Sequence, residues 1–343
     1  MKARLRVGMA AAAAALFLAA CGGNGATTST TSSDGIAAGT QEESTGEWVP
    51  VEGGYVPVIT TVLANPYWDT ESQTAKEELE ALGYETAIFA HDNDPQRQSE
   101  LIDGAISRGA VAIVLDPAGA DESIGVVQRA VDAGIPVFLI NAEIEAEGIA
   151  QSQIVANNAQ GAALGAEYFV EQMGGEGTYV ELFGNPTDNN AEVRSTAYNE
   201  VISQYPDMQL LQTETGNWNR DEGFQKMEIM LQAHPDLKGV LSGNDEMALG
   251  AIAAIEASGK VPGVDILVMG FDGSPDAVEA IEQGKLLGTV LQPIVLETRM
   301  LVEQLHSYLQ TGSTGVDIEK QAVDCQLITP ENIGQYTLFS LDG

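Results

Sequence analysis

Short apolar, β-branched runs alternate with segments of helical spacing from Val56 almost to the end of the chain, and this alternation limits the fold more than any other feature. Val56–Val62 (VPVITTV) reads as a strand, Tyr67–Leu82 as a helix closed by Gly83, and Thr86–Ala90 as the next strand. The spacing then predicts a helix over Pro95–Arg108, a buried strand over Val111–Leu115, a helix over Ser123–Ala133 and a strand over Ile135–Ile140. The rhythm restarts near Asn158, with a helix over Gln160–Met173 and a strand over Thr178–Phe183. Helix Ala191–Gln204, strand Leu210–Thr213, helix Arg220–Ala233, strand Gly239–Leu241 and helix Glu246–Ser258 follow. Strand Ile266–Gly270, helix Pro275–Gln283 and strand Gly288–Leu291 close the second set. A long helix, Val295–Leu309, and one or two last strands complete the chain. Strands that are apolar throughout are covered on both faces, so each set is a parallel sheet between helices. Two sets of similar length predict two doubly wound α/β lobes. With 343 residues, 44% of them hydrophobic, there is material for two such cores.

The first residues do not share this pattern. Lys2, Arg4 and Arg6 precede an apolar run through Leu16, Phe17 and Leu18, the basic and apolar regions of an export signal. The run ends Leu18-Ala19-Ala20-Cys21-Gly22, which looks like a bacterial lipobox with Cys21 as the acylated residue. An ordinary secretory signal with an incidental cysteine is the alternative. Residues 1–20 are therefore expected to be removed. Residues 21–55, rich in Gly, Ser and Thr, are expected to be a flexible tether that buries no core. Cys325 then has no partner for a disulfide and reads as a buried thiol. Net charge is −35, and losing three basic residues with the signal makes it more negative still. Phosphate backbones and anionic lipid heads would be repelled by such a surface, which excludes nucleic acid as a partner.

In doubly wound sheets a ligand sits beyond the carboxyl ends of the strands. The residues found there are Asn65, Pro66, Tyr67 and Trp68 after the first strand, Asp116 after the third and Asn141 after the fourth. In the second lobe they are Asp188, Asn190 and Arg194, then Trp218 with Arg220, Asn244, Phe271 with Asp272, and Gln292. Flat rings among amides, carboxylates and a guanidinium suit a polyhydroxylated ligand. Its C–H faces stack on the rings, and each hydroxyl needs both donors and acceptors. Each residue also has a plainer reading. Asn65-Pro66 and Asn244-Asp245 can be helix caps, Asp272-Gly273 a turn, the tryptophans core, and Arg194 the partner of Glu192 or Glu200.

The segments ITTVLANPYW (59–68), LSGNDEMALGA (241–251), VMGFDGSPDAVEAI (268–281) and GKLLGTVLQ (284–292) together give the chain a resemblance. It resembles the sugar-binding proteins of bacterial ABC importers, of the ribose- and glucose/galactose-binding type, over residues 56–328. The resemblance implies the type I periplasmic binding protein fold, with two lobes joined by a three-stranded hinge crossing near Ala156, Gln292 and Ala322. It implies that residues 56–156 plus 293–321 form one lobe and 157–292 plus 322–343 the other. Trp68 and Trp218 match the two rings that sandwich a sugar, with Tyr67 and Phe271 at its edges. Thr61, Asn65, Asp116, Asn141, Asp188, Asn190, Asn244, Asp272 and Gln292 match polar ligand positions, and Arg194 the guanidinium clamp. Asp116 stands where relatives usually have Asn, and Ala142 where ribose binders have Arg. The glucose/galactose binders have Asp and His where this chain has Asn190 and Asp188, so the pocket belongs cleanly to neither subtype. With Arg194 facing Asp116, Asp188 and Asp272, a neutral sugar or polyol fits better than an anionic one.

Nothing in the sequence supports chemistry. His91, His234 and His306 have no metal spacing, no GxSxG elbow or Walker A motif occurs, and no GxGxxG follows a strand. The expectation is an exported, lipid-anchored, monomeric solute-binding protein, not an enzyme. It would take a neutral monosaccharide or polyol, use no cofactor, and partner the membrane subunits of an ABC permease. A receptor coupled to a sensor or chemoreceptor is the first alternative, and a sugar-acting enzyme the second.

Overall fold

The computed structural model describes residues 48–341. The expected signal, Cys21 and most of the expected tether lie outside them. In chain order the first elements are β1 (Tyr55–Thr60), α1 (Pro66–Ala81), β2 (Glu85–Ala90), α2 (Pro95–Arg108), β3 (Ile113–Leu115), α3 (Ile124–Asp132), β4 (Val137–Ile140) and β5 (Ser152–Ala156). Then come α4 (Asn158–Met173), β6 (Gly177–Phe183), α5 (Asn189–Ile202), β7 (Met208–Thr215), α6 (Arg220–Ala233), β8 (Gly239–Ser242) and α7 (Asp245–Ala257). They are followed by β9 (Leu267–Asp272), α8 (Pro275–Glu282), β10 (Gly288–Leu291) and α9 (Ile294–Thr311). The last are β11 (Lys320–Val323), β12 (Gln326–Ile328) and a small hairpin, β13 (Tyr336–Thr337) with β14 (Ser340–Leu341).

Two six-stranded sheets carry the fold. Their orders are β11-β5-β4-β3-β1-β2 and β12-β10-β9-β8-β6-β7, so the second repeats the first. All ladders of the first sheet are parallel. The second is parallel except for β12, which runs antiparallel to β10. In each sheet the chain starts in one strand, moves outward to the next, then returns to the other side. The point of reversal lies between β1 and β3 in one lobe and between β6 and β8 in the other. Such switch points are where open α/β sheets bind ligands. The chain passes between the sheets after β5, after β10 and between β11 and β12.

The central strands β1, β3, β4, β8 and β10 are buried along their whole length, in keeping with their largely apolar sequences. β7 is an edge strand with an exposed outer face, relieved by a register shift where Tyr179 and Val180 meet it. Helix starts are fixed by side chains. Asn65, Asp94, Asp188, Asn219, Asn244 and Ser274 each accept a backbone N–H of the turn they precede.

Three features depart from the sequence reading. β5 (SQIVA) has a polar start that hydropathy does not mark as a strand. Ser152 and Gln153 are nevertheless fully buried. Gln153 Oε1 accepts Ile144 N at 3.0 Å and its Nε2 donates to Ala146 O and Glu319 Oε1, while Ser152 Oγ donates to Gln304 Oε1 at 2.8 Å. A satisfied polar network takes the place of apolar burial there. The second departure is the β13–β14 hairpin, which short strands of mixed polarity do not announce. The third is the end of the expected tether. Trp48 Nε1 donates to Leu309 O at 3.1 Å, its ring meets Tyr308 edge-on, and Val51 N donates to Leu309 O, so residues 48–51 are docked on the end of α9. Cys325 is buried, and burial pushes its thiol pKa up to about 12.

Candidate binding site

The site is assembled from the carboxyl ends of strands and the first turns of helices in both lobes. A small cavity lies there, walled by Asn65, Tyr67, Trp68, Asn141, Asp188, Asn190, Arg194, Trp218, Asn244, Asp272 and Gln292. All eleven are among the fourteen ligand positions that the resemblance implies. The lobes are shut on each other around it. Ala120 N donates to Thr187 O at 3.0 Å and Asn190 Nδ2 to Asn141 O at 3.0 Å, each bond spanning the two halves.

Three wall residues also cap helices. Asn65 Oδ1 accepts Tyr67 N, Asp188 Oδ1 accepts Asn190 N, and Asn244 Oδ1 accepts Met247 N, at 2.9, 2.9 and 3.0 Å. The cap consumes one oxygen and leaves the rest of the side chain over. Asp188 Oδ2 takes Trp218 Nε1 at 3.1 Å, and Asn244 Nδ2 donates to Trp218 O at 3.3 Å. The cap and site readings are therefore not exclusive at these positions.

Trp218 is held under backbone strain. Gly216 O accepts Asn219 N at 2.9 Å, and the two residues between them, Asn217 and Trp218, have φ of 51° and 62°. Asn tolerates this region, but a tryptophan there costs about 1–2 kcal/mol. Asn141 and Asp272 also have positive φ, 66° and 131°. Strain of this kind gathers at ligand sites, where the surrounding structure enforces it.

Arg194 is buried and rigidly oriented. Its Nε donates to Asn158 Oδ1 at 2.7 Å and its Nη1 to Gly243 O at 2.8 Å, with Asp272 Oδ1 at 3.6 Å. Its guanidinium carbon lies 3.8 Å from the centre of the Phe271 ring and 5.2 Å from that of Trp218. The surface ion pair with Glu192 or Glu200 considered from the sequence does not form. Gln292 Nε2 donates to Asp272 Oδ1 at 2.7 Å and leaves its own Oε1 without a protein partner.

Thr61, Asp116 and Phe271 do not wall the cavity; they stand behind it. Asp116 Oδ2 accepts Asn141 Nδ2 at 2.9 Å and Thr61 Oγ1 at 3.1 Å, so its carboxylate is spent on fixing two neighbours. Phe271 lies under Arg194. Arg220 is drawn away by Glu246, on both its Nε and Nη2 at 2.8 and 2.6 Å, and by Asp276 at 2.8 Å. It rims a second, outer space that shares Asn65, Trp68 and Trp218 with the inner cavity.

The sequence reading did not single out Asn158, Glu71 or Glu297. Asn158 joins the wall residues, accepting from Arg194 and donating from Nδ2 to Asn190 Oδ1 at 2.9 Å. It is the first residue of α4, two positions past the polar strand β5, so nothing in the hydropathy pattern pointed there. Glu71 and Glu297 are fully buried in helices α1 and α9. Glu71 Oε1 accepts Thr60 Oγ1 at 3.0 Å, while neither oxygen of Glu297 has a partner. Burial raises the pKa of Glu297 to about 8. Burial likewise raises Asp116 to about 8, against the lowering by its bond from Asn141. Burial holds Glu71, Asp188 and Asp272 above the usual carboxylate range as well, although Arg194 counteracts it at Asp188 and Asp272. Among the described residues no group of His, Cys, Asp and Glu is arranged to hold a metal ion, and no helix is long and apolar enough to cross a membrane.

The family description "periplasmic binding protein domain" matches residues 56–314. The chain belongs to that family. It is 46% identical over 306 residues to the D-apiose import binding protein of Paraburkholderia graminis, covering 89% of this chain and 97% of that one. It is 30% identical over 248 residues to the ribose import binding protein of Bacillus subtilis, covering 72% and 79%. A solved ABC transporter solute-binding protein from Bacillus halodurans with bound myo-inositol superposes with a TM-score of 0.76 at 27% identity, over 83% of this chain and 97% of that one. These relatives are binding proteins rather than enzymes. Periplasmic binding proteins work outside the cytoplasm, and the two-sheet architecture of this chain is theirs.

Proposed function

We propose that this protein is the solute-binding component of an ABC importer, taking one neutral monosaccharide or polyol between its lobes and handing it to the permease. The observation that carries the reading is the composition of the inner cavity. Two indole rings and one phenol stand among amides, two carboxylates and a single guanidinium, contributed by both lobes. One cation against Asp188 and Asp272 favours an uncharged ligand. Gln292 Oε1 and Tyr67 Oη are buried without partners, and sugar hydroxyls would satisfy them. Arg194 Nη2, with no acceptor among the described residues, would be a third partner. Thr61, Asp116 and Phe271 serve by positioning Asn141 and Arg194. The relatives named for D-apiose and ribose make those two pentoses the first ligands to try.

The lobes are taken as residues 56–156 plus 293–323 and 157–292 plus 324–343, closing by hinge motion on the ligand; the last boundary moves from the expected 321/322 to after Val323, because β11 pairs with β5 along its whole length. Cys21 would be acylated after removal of residues 1–20, anchoring a monomer to the membrane by its lipid alone. Replacing Cys21 by Ser should release the protein from the membrane fraction; retention there would sink the anchor.

The decisive experiment is a thermal-shift panel with D-apiose, D-ribose, hexoses and polyols. A true ligand at about 100 times its Kd should add roughly 2.7 kcal/mol of stability. No shift with any sugar or polyol would overturn the ligand class. Trp218→Ala should abolish the shift produced by the best compound, and an unchanged response would remove Trp218 from the site.

A further inference from the structure

We infer that the C-terminal hairpin is part of the binding machinery: Phe339 sets the position of Tyr67 in the cavity wall. This rests on the reading of the cleft as a sugar site. The hairpin lies beyond residues 56–314, the span that the family description matches. β13 and β14 pair through Tyr336 with Leu341 and Thr337 with Ser340. The turn between them points one large apolar side chain out and one in. Leu338 is 55% exposed, whereas Phe339 is 1% exposed. Phe339 takes this place at a φ of 49°, a conformation an aromatic residue adopts only when its surroundings impose it.

The buried ring meets Tyr67 edge-to-face, with centroids 5.6 Å apart and planes at 80°. Tyr67 is itself buried, and its hydroxyl has no hydrogen-bond partner. No polar contact from its own side chain therefore fixes the phenol, and aromatic packing has to. The other end of the hairpin reaches the second lobe. Tyr336 Oη donates to Gly273 O at 2.9 Å and accepts Phe339 N at 3.3 Å. Gly273 follows the wall residue Asp272 directly. One short hairpin thus ties a wall residue of the first lobe to the neighbour of a wall residue of the second. A phenol that is ordered before the sugar arrives loses less side-chain freedom on binding.

The test is calorimetric titration of D-apiose and D-ribose into purified full-length variants whose melting is checked in parallel. Phe339→Ala should weaken binding about tenfold, Phe339→Leu less, and Leu338→Ala, on the exposed side of the same turn, not at all. Phe339→Leu keeps the question open to test should the Ala variant fail to fold. Because Phe339 acts through Tyr67, adding Phe339→Ala to Tyr67→Ala should cost no further affinity. Wild-type affinity in both Phe339 variants, or an additive loss in the double variant, would overturn the inference. If the unaltered protein binds neither pentose, the same titrations use the best compound of the thermal-shift panel; if no sugar or polyol of that panel binds, the sugar reading falls and this inference with it.

Discussion

Trp218 shows how much of the site depends on residues that never touch a ligand. Its indole lies across the ends of two neighbouring strands, β6 and β8, and can do so only because glycines stand there. A Cβ on Gly184 would fall 2.0 Å from Trp218 Cη2, and one on Gly243 3.0 Å from its Cζ3. Gly184 is not in the left-handed region, so alanine there would strain nothing but this contact. Gly184→Ala should drive the ring into the cavity and lower sugar affinity at least tenfold. Trp218→Phe in the same chain should restore part of it, since a smaller ring relieves overpacking of about 1–3 kcal/mol. Calorimetric titration reads both. Wild-type binding by Gly184→Ala would show that the floor under Trp218 does not matter. The tryptophan was legible in the sequence because it follows a strand beside polar residues. The glycine beneath it was not, because only the folded sheet brings residues 184 and 218 together.

At the scale of elements, the helix N-termini are where fold and site share side chains. Asn65 is both the cap of α1 and a wall of the cavity, with its oxygen on Tyr67 N and its amide nitrogen free of protein acceptors among the described residues. Asn65→Ser keeps a capping oxygen and removes the amide nitrogen. It should melt close to the wild type and bind sugar several-fold more weakly. Asn65→Ala should in addition lose about 1 kcal/mol of stability, within the 0.5–2 range for lost caps. Equal melting of the two variants would deny the cap its role, and undiminished binding by the Ser variant would take the amide out of the site. Most elements were readable from periodicity, and α2, α6 and β10 match their predicted ranges. β5 and the terminal hairpin were not. β5 is stabilised by hydrogen bonds that Ser152 and Gln153 donate to Gln304 and Glu319, more than 150 residues away. No local window contains those partners.

For the whole molecule, folding places several carboxyls out of reach of water, and this has a consequence for pH. Asp116 and Glu297 both move from ordinary carboxylate values to about 8, because burial penalises their charged forms. Asp245 moves to about 7, again by burial. The folded chain thus keeps protons that the unfolded chain gives up near pH 4. Their contribution to stability is complete below that pH, is lost as pH rises toward 8, and changes little beyond. The urea midpoint of the ligand-free protein should therefore fall between pH 5 and pH 8. Glu297→Gln, which has no bonds to lose, should flatten that slope. A midpoint that rises over the interval would mean these groups stay ionised in the fold. The excess acid noted in the sequence is thus of two kinds. Most of it is solvated surface, and a small buried set borders the cleft.

The sequence by itself determined the two parallel sheets, their helices and the strand ends where a ligand would sit. Those features rest on local hydropathy period and on caps and turns, which act within a few residues. It also supplied all eleven residues that wall the cavity. Only the tertiary structure decided which of the fourteen candidates face the cavity and which stand behind it. It alone brought Asn158, Glu71, Glu297 and Phe339 to the site. Their roles come from contacts across large sequence separations, and from burial, which sets hydrogen bonding and charge only after the chain has closed on itself.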